Sequence, residues 1–380
     1  MDSKGKIQQE RKQMFSEVVT AFENKYSWLG HQVARELLLS AASWNIEKYS
    51  DPRMRYRDHV MLAWNKGWLK TSLLGKMADI LGDELCSTIG KVTDAAMRGS
   101  TAAGKFTPPK PLKTPFVIST EFGQTEFSDE LLNLFLALLE EGETNVALNK
   151  IGNISDTQAK KVEEQYDGIE FKDVNEFNLT TNFVFWGATY DPSKLQDDAF
   201  RSRMKIVTPE KQLDWRITKC IDKNRFHLSA QTIKDIRNEL QKEESFETDF
   251  EPPDRLYKEY SISPRESRDM QAYMAARNWW GLDVNPEIME NHIQWLQKSR
   301  RIARMDPADR VLDLIFDNAM SYDEIIDETG YSKKEVYKIV NEQLGAKRVV
   351  TGKDESNKFI IRSRDGGAEE SGSFLNDIDL

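Results

Sequence analysis

The chain has 380 residues, 39% hydrophobic and 31% charged, which fits a globular protein of two or three domains. No apolar run approaches the roughly 20 residues that span a bilayer, and the N-terminal MDSKGKIQQERKQM lacks the apolar core of a signal peptide, so a cytoplasmic protein without membrane contact is expected. A net charge of −10 argues against a uniformly DNA-coating protein and leaves room for a local basic surface, and two distant cysteines (Cys86, Cys220) with four scattered histidines argue against a disulfide framework or a structural zinc site.

Residues 1–57 carry apolar side chains at helical spacing (FSEVVTAFENKYSWLGHQVARELLLSAASW) and predict an N-terminal helical segment. Residues 58–210 alternate strand-like and helix-like runs. The run Val60–Ala63, PFVIST and NFVFWGAT read as buried parallel strands, and DELLNLFLALLEEGE reads as an amphipathic helix. Such alternation predicts an α/β core, a parallel sheet with helices on both faces. Residues 211–305 predict a helical region, interrupted by EESFETDFEPPDR as a solvated loop. Residues 306–363 read as three helices and two short strands, and residues 364–380 as a disordered acidic tail.

HVMLAWNKGWLKTSLLGKM, His59–Met77, has the layout of a P-loop: strand, short polar turn, Lys-Thr, apolar helix. In such a loop backbone N–H groups and a helix N-terminus wrap phosphates, the lysine reaches the β/γ-phosphates and the hydroxyl ligates Mg²⁺. Lys70 and Thr71 stand in place and Gly67 remains. Trp64 and Leu69 replace the other two glycines, and a side chain at Leu69 is expected to crowd the phosphate wrap. On this stretch alone an ordinary amphipathic helix is an equal reading. A second strand end, FVISTEFGQ, carries Thr120-Glu121 where a nucleotide site carries Asp-Glu: the carboxylate that polarises water is kept and the metal-shell carboxylate is lost. NFVFWGATYDPSKLQDDAFRSRMKIVTP resembles the sensor strand and arginine-finger segment of AAA+ ATPases, which implies that a polar tip, Asp191 or Thr189, orients the water and that Arg203 reaches a neighbour's γ-phosphate.

In order and spacing these segments resemble the AAA+ module of the minichromosome-maintenance (MCM) helicases, over about residues 55–305. His59–Leu74 matches that family's first motif position for position. MRGSTAAG resembles the segment that follows it, and EFGQTEFSDELLNLFLALLEEGETNVALNKIG its Glu-Phe-Asp helix and hairpin. The resemblance implies an AAA+ P-loop-type sheet with a helical lid, ATP and Mg²⁺ as cofactors, and a homo-oligomeric ring. It implies Glu121, Arg203 and Asp191 as catalytic, and Gly67, Lys70, Thr71 and Arg265 (in ISPRESRDMQAYMAARNWWGLD) at the nucleotide, with Thr71 on the metal. It also implies Lys150 on a hairpin that meets DNA. The departures are the lost glycines, the missing Asp, the replaced sensor Asn, a shortened 104–116 segment and the lack of a large N-terminal domain.

The C-terminal SYDEIIDETGYSKKEVYKIVNEQLGAKRVVTGKDESNKFIIRS reads as a winged-helix domain, with Gly330 in the turn and Ser332 capping the second helix. Residues 331–362 hold eight Lys/Arg against four acids, +4 within a chain of −10, which points to phosphate contacts. Lys333, Lys334 and Lys338 share a helical stretch suited to a major groove, followed by Lys347 and Arg348. A winged helix used only for protein contacts is the alternative. The terminal SFLNDIDL is a candidate docking segment for a replication partner. Three functions stand open: an ATPase moving on DNA, a nucleotide-inactive DNA-binding or assembly protein of the origin-recognition initiator type, and a protein remodeller.

Overall fold

The computed structural model describes residues 3–49, 57–64, 67–102, 105–122, 125–147, 154–173, 176–190, 198–209, 224–242, 250–304, 307–317, 319–329, 333–353, 358–364 and 373–374, with residues 217, 219, 221 and 331. The chain opens on α1 (Ser3–Tyr49), broken at Ser27, whose φ of 58° and ψ of −156° interrupt the helix. Then come β1 (His59–Ala63), α2 (Lys70–Leu81), β2 (Cys86–Ile89), α3 (Asp94–Arg98), the β3–β4 hairpin (Ser100–Ala102, Lys105–Thr107), α4 (Lys110–Lys113) and β5 (Phe116–Ser119). Next are α5 (Asp129–Glu140), β6 (Glu143–Ala147), α6 (Asp156–Gln165), β7 (Ile169–Asp173), β8 (Glu176–Thr180), β9 (Val184–Thr189), α7 (Asp198–Arg201) and β10 (Met204–Val207).

The central sheet has five strands in the order β10-β1-β9-β5-β2, all parallel. The α/β expectation holds in this form. Side chains alternate across it, as the pleat requires. Val60, Leu62, Phe116, Ile118, Val184 and Trp186 enter a core shared with α1, α2 and the helices Ala230–Gln241 and Pro264–Trp279. Met61, Val117, Phe185 and Ile206 face the opposite core, under α5. There the antiparallel sheet β6-β8-β7, which the sequence pattern did not delineate, packs with the β3–β4 hairpin. Among the described residues no helix is long and apolar enough to cross a membrane.

Helix α1 is stapled to β9, to the turn before it and to the helix Pro264–Trp279 by indole hydrogen bonds. Trp186 Nε1 donates to Ser40 Oγ (2.7 Å), Trp44 Nε1 to the Asn182 carbonyl (3.3 Å), and Trp280 Nε1 to the Leu38 carbonyl (2.8 Å). Trp186 and Trp280 are fully buried and serve the core.

Helices Pro307–Asp317, Tyr322–Thr329 and Lys333–Gly345 close around their own core of Val311, Ile315, Ile325, Val336, Val340, Val349 and Ile361. Antiparallel β11 (Val349–Lys353) and β12 (Phe359–Ser363) complete it. Within the C-terminal tail, β13 (Ser373–Phe374) pairs with the free edge of β11, where unpaired backbone groups accept another strand; residues 365–372 and 375–380 lie outside the described residues. Gly330 and Ser332 lie outside the described residues.

Where α1 folds back at its break, a Cβ at Gly30 would stand 2.3 Å from the Phe22 carbonyl oxygen, a backbone atom. Gly30→Ala is expected to cost about 2 kcal/mol through overpacking. Gly75→Ala, in open space inside α2, is expected to gain up to about 1 kcal/mol from helix propensity. Chemical denaturation of both variants measures the contrast.

Candidate nucleotide site and its opposite edge

A cleft of about 330 Å³ opens at the C-terminal edge of the sheet, within the range of small-molecule sites. In parallel α/β sheets this edge is where ligands bind. Its walls are the loop after β1 with the start of α2 (Gly67 to Ser72), the end of β5 (Thr120, Glu121) and the end of β9 (Ala188, Tyr190). Four residues singled out in the sequence, Gly67, Lys70, Thr71 and Glu121, therefore converge on one cavity.

The loop backbone explains how this happens without the expected glycines. Gly67 has φ of 89°, and Leu69 is left-handed at φ 63°, ψ −2°, at the N-cap of α2. The turn forms with leucine in the left-handed position, and leucine bears the strain. Left-handed backbone costs a non-glycine residue about 1–2 kcal/mol. Packing of Trp68 and Leu69 against the core offsets it. The first N–H groups of a helix lack intrahelical acceptors, and Thr71 and Ser72 present this turn to the cleft.

Lys70 is buried. Its Nζ donates to the Trp64 carbonyl (2.5 Å) and lies 5.3 Å from the centre of the Trp64 ring, while Trp64 Nε1 donates to the Trp68 carbonyl (2.7 Å). Trp64, in the place of a lost glycine, thus latches the loop. Burial pushes the Lys70 ammonium down to about 8. Glu121 is exposed, with its backbone N–H on the Gly90 carbonyl (2.7 Å). The next residue, Phe122, is fully buried in a phenylalanine cluster, its ring centre 5.2 Å from that of Phe200 and 5.9 Å from that of Phe185, and this anchors the backbone that carries Glu121. Thr189 is buried at the end of β9; Asp191 lies outside the described residues.

The donors here suit a polyphosphate better than a bare metal. Among the described residues no group of three His, Cys, Asp or Glu is placed to hold a metal ion. One carboxylate and the Thr71 hydroxyl match the way Mg²⁺ is held, by few protein ligands plus phosphate and water.

Arg203 and Arg265 meet at the other edge. Arg203 directly precedes β10, whose Met204 stands beside His59, the first residue of β1. Glu140, at the end of α5, ion-pairs with Arg203 and Arg265, with Arg268 at 3.9 Å. Arg203 Nη1 also donates to the Ala199 carbonyl (2.6 Å), and Arg265 Nη1 to Ser202 Oγ (2.5 Å). Burial pushes the Glu140 carboxyl up, but the Arg265 hydrogen bond and the charges of Arg203, Arg265 and Arg268 outweigh it, so its titration is shifted down. Arg57 donates to the Leu138 (3.3 Å) and Glu140 (3.1 Å) carbonyls, placing a cation at the helix C-terminus. His59 Nδ1 accepts the Phe185 N–H (2.9 Å), so Nε2 donates to the Leu139 carbonyl (2.9 Å). Burial, then Arg57, drives this imidazole down to about 3, and it stays neutral. Five residues of β1 separate the arginines from the cleft, about 13 Å at a strand's rise.

Sequence reasoning missed Glu140, Arg268 and Tyr190. Arg268 was legible as one helical turn beyond Arg265. Glu140 carried no local signal, because its partners lie more than sixty residues away. Lys333, Lys334, Lys338, Lys347 and Arg348 are all exposed in the C-terminal unit. Lys150 lies outside the described residues. No family model matches the chain, and no curated protein matches it in sequence.

The strain at Leu69 is testable. Leu69→Gly relieves it but loses packing and loosens the unfolded chain, so a net change within about 1 kcal/mol is expected. Leu69→Val places a β-branched residue in left-handed backbone and is expected to lose about 2 kcal/mol. Thermal unfolding of the two variants reads the difference.

Proposed function

We propose that the protein is an AAA+ ATPase of the MCM type that acts on DNA as a homo-oligomeric ring. ATP with Mg²⁺ occupies the cleft at the C-terminal edge. Lys70 and the first turn of α2 hold the phosphates, Thr71 contributes to the metal shell, and Glu121 polarises the attacking water. Helices Ala230–Gln241, Pro264–Trp279 and Pro286–Arg304 act as the lid, and the C-terminal unit acts as a winged helix on DNA. The observation that carries this reading is the left-handed Leu69 immediately before Lys70 and Thr71. A glycine-type conformation held by a leucine is costly, and strained backbone of this kind clusters at binding sites.

The position of Arg203 and Arg265 supports the oligomer. Both sit at the edge opposite the cleft, so within one chain they act on nothing bound there, while a neighbour's cleft brought against that edge would meet them. Such arginines stabilise transition-state charge. Glu140 would hold them until a phosphate replaces it.

The test is Mg-ATP binding, followed through the tryptophans of the loop, and phosphate release with and without single-stranded DNA. Binding with DNA-stimulated release is expected, with weaker binding and no release in Lys70→Ala. No binding at millimolar ATP would leave the second reading, a nucleotide-inactive DNA-binding or assembly protein. That reading has its own observation, the Lys70 ammonium already engaged by the Trp64 carbonyl and ring.

The depressed ammonium gives a pH signature. Below about 8 Lys70 is protonated before binding, so affinity is flat there. Above that pH the phosphates must draw a proton onto Lys70, so affinity falls by up to about tenfold per pH unit. Calorimetry above pH 8, in buffers of different ionisation heat, is expected to record proton uptake that Lys70→Met removes.

A further inference from the structure

The C-terminal unit carries an aromatic stack at its surface that the phosphate-binding reading of its lysines does not use. Tyr337 and Tyr322 lie 4.1 Å apart between ring centres and within 10° of parallel, and Phe359 continues the stack 6.0 Å from Tyr322, within 12°. Tyr337 and Phe359 are 39% and 45% exposed. They come from different elements, helix Lys333–Gly345 and β12, with Tyr322 at the start of the preceding helix between them. Three side chains brought together in this way from three elements make a built surface.

The charges beside it define what it fits. Val336, Ile339 and Val340 turn one side of helix Lys333–Gly345 into the core. The outward side places Tyr337 among Lys333, Lys334 and Lys338, all exposed. Lys333 Nζ stands 5.7 Å from the Tyr337 ring centre. Lys358 precedes Phe359 and pairs with Glu324 at 2.9 Å, and Lys338 reaches Glu342 at 3.8 Å, so the positive field is strongest toward Lys333 and Lys334. Flat exposed π faces flanked by cations match a chain of flat bases joined by phosphates. Bases paired in a duplex are already stacked on both faces and offer only their edges, whereas unpaired bases offer the face that an aromatic ring takes.

We propose that this surface binds single-stranded nucleic acid, an unpaired base extending the Tyr337–Tyr322–Phe359 stack while Lys333 and Lys334 neutralise the adjoining phosphates. The proposal rests on the DNA-binding reading above and replaces major-groove insertion of the lysine helix with stacking.

The test uses the full chain and fluorescence anisotropy with two labelled probes, oligo-dT and a duplex of equal length, at two salt concentrations. Tyr337→Leu and Phe359→Leu keep apolar bulk at half-exposed positions and remove the flat face. Each is expected to weaken oligo-dT binding about tenfold and leave duplex binding unchanged, since base–aromatic stacking carries that order of affinity. Lys334→Gln is expected to weaken both probes alike and lower the salt slope. Photocrosslinks from an iodouracil-substituted oligonucleotide are expected at Tyr337 or Phe359. The proposal is overturned if both leucine variants bind oligo-dT as the parent does, if they lose both probes equally, or if every crosslink maps elsewhere. Duplex binding without oligo-dT binding overturns it while the DNA reading stands; binding of neither probe overturns both.

Discussion

The parallel alignment of β1 with β9 and β10 is the constraint on which the rest of the structure depends. In a parallel sheet every strand delivers its C-terminus to one edge and its N-terminus to the other. The loop after β1, the Thr120-Glu121 end of β5 and the tip of β9 must therefore share one edge, and they form the cleft. Arg203, fixed before β10, is sent to the opposite edge by the same rule. Helix α5 runs back from the cleft side and ends there, which is why Glu140 meets residues from the far end of the chain. A site needing both the cleft and these arginines has to be made by two chains. In the proposed function that requirement comes from strand direction, before any interface is considered.

The arginine edge is held rigid from below by a buried ionic cluster. Lys205 of β10 donates to Asp58 (2.5 Å) and lies 3.3 Å from Glu36 of α1, with its ammonium 5.1 Å from the Tyr273 ring. One ammonium serves two carboxylates. Burial works against the Glu36 charge, but Lys205 and Arg35 overcome it and bring the carboxyl down to about 2. Burial raises Asp58 to about 6, which Lys205 only partly opposes. Burial also disfavours the Lys205 charge, yet the two carboxylates hold its titration above the usual lysine range. Breaking such a cluster by removing one partner is far more costly than the cluster is stabilising, because a buried charge is left alone. It therefore fixes the register of α1, β1 and β10 more than it adds to stability.

Strands β1, β5 and β9 were legible in the sequence because they are buried on both faces, whereas β10 and the half-exposed edge strand β2 were not delineated. Val60–Ala63, PFVIST and NFVFWGAT are continuous apolar runs, and the amphipathic DELLNLFLALLEEGE separates two of them. The strands of the β6-β8-β7 sheet were not delineated, since IEFKD and EFNLT mix polar and apolar residues on a half-exposed surface. Gly67, Lys70, Thr71 and Glu121 were legible as strand-end residues, and the structure brings them together. Glu140 and the Tyr322–Tyr337–Phe359 stack were not, because each is a tertiary meeting of residues far apart in the chain. The conformation of Leu69 could not be read either: residue type argued for the wrong backbone, and packing around the loop decided it.

That loop also sets how a ligand would be received. The site is already satisfied by itself, its lysine on the Trp64 carbonyl and its indole on the Trp68 carbonyl. A phosphate entering the cleft would share the three donors of this ammonium with the carbonyl or displace it, and a charged hydrogen bond is worth about 1.5–3 kcal/mol. A glycine at position 64 would keep the carbonyl that Lys70 meets and remove only the indole beside its ammonium and the indole bond to the Trp68 carbonyl. In the proposed function the Trp64 indole adds to the cost of opening the latch, while the turn, the helix N-terminus and Glu121 stay in place. On this account Trp64 controls access to Lys70, and the sheet edge behind it already has the geometry that binding would use.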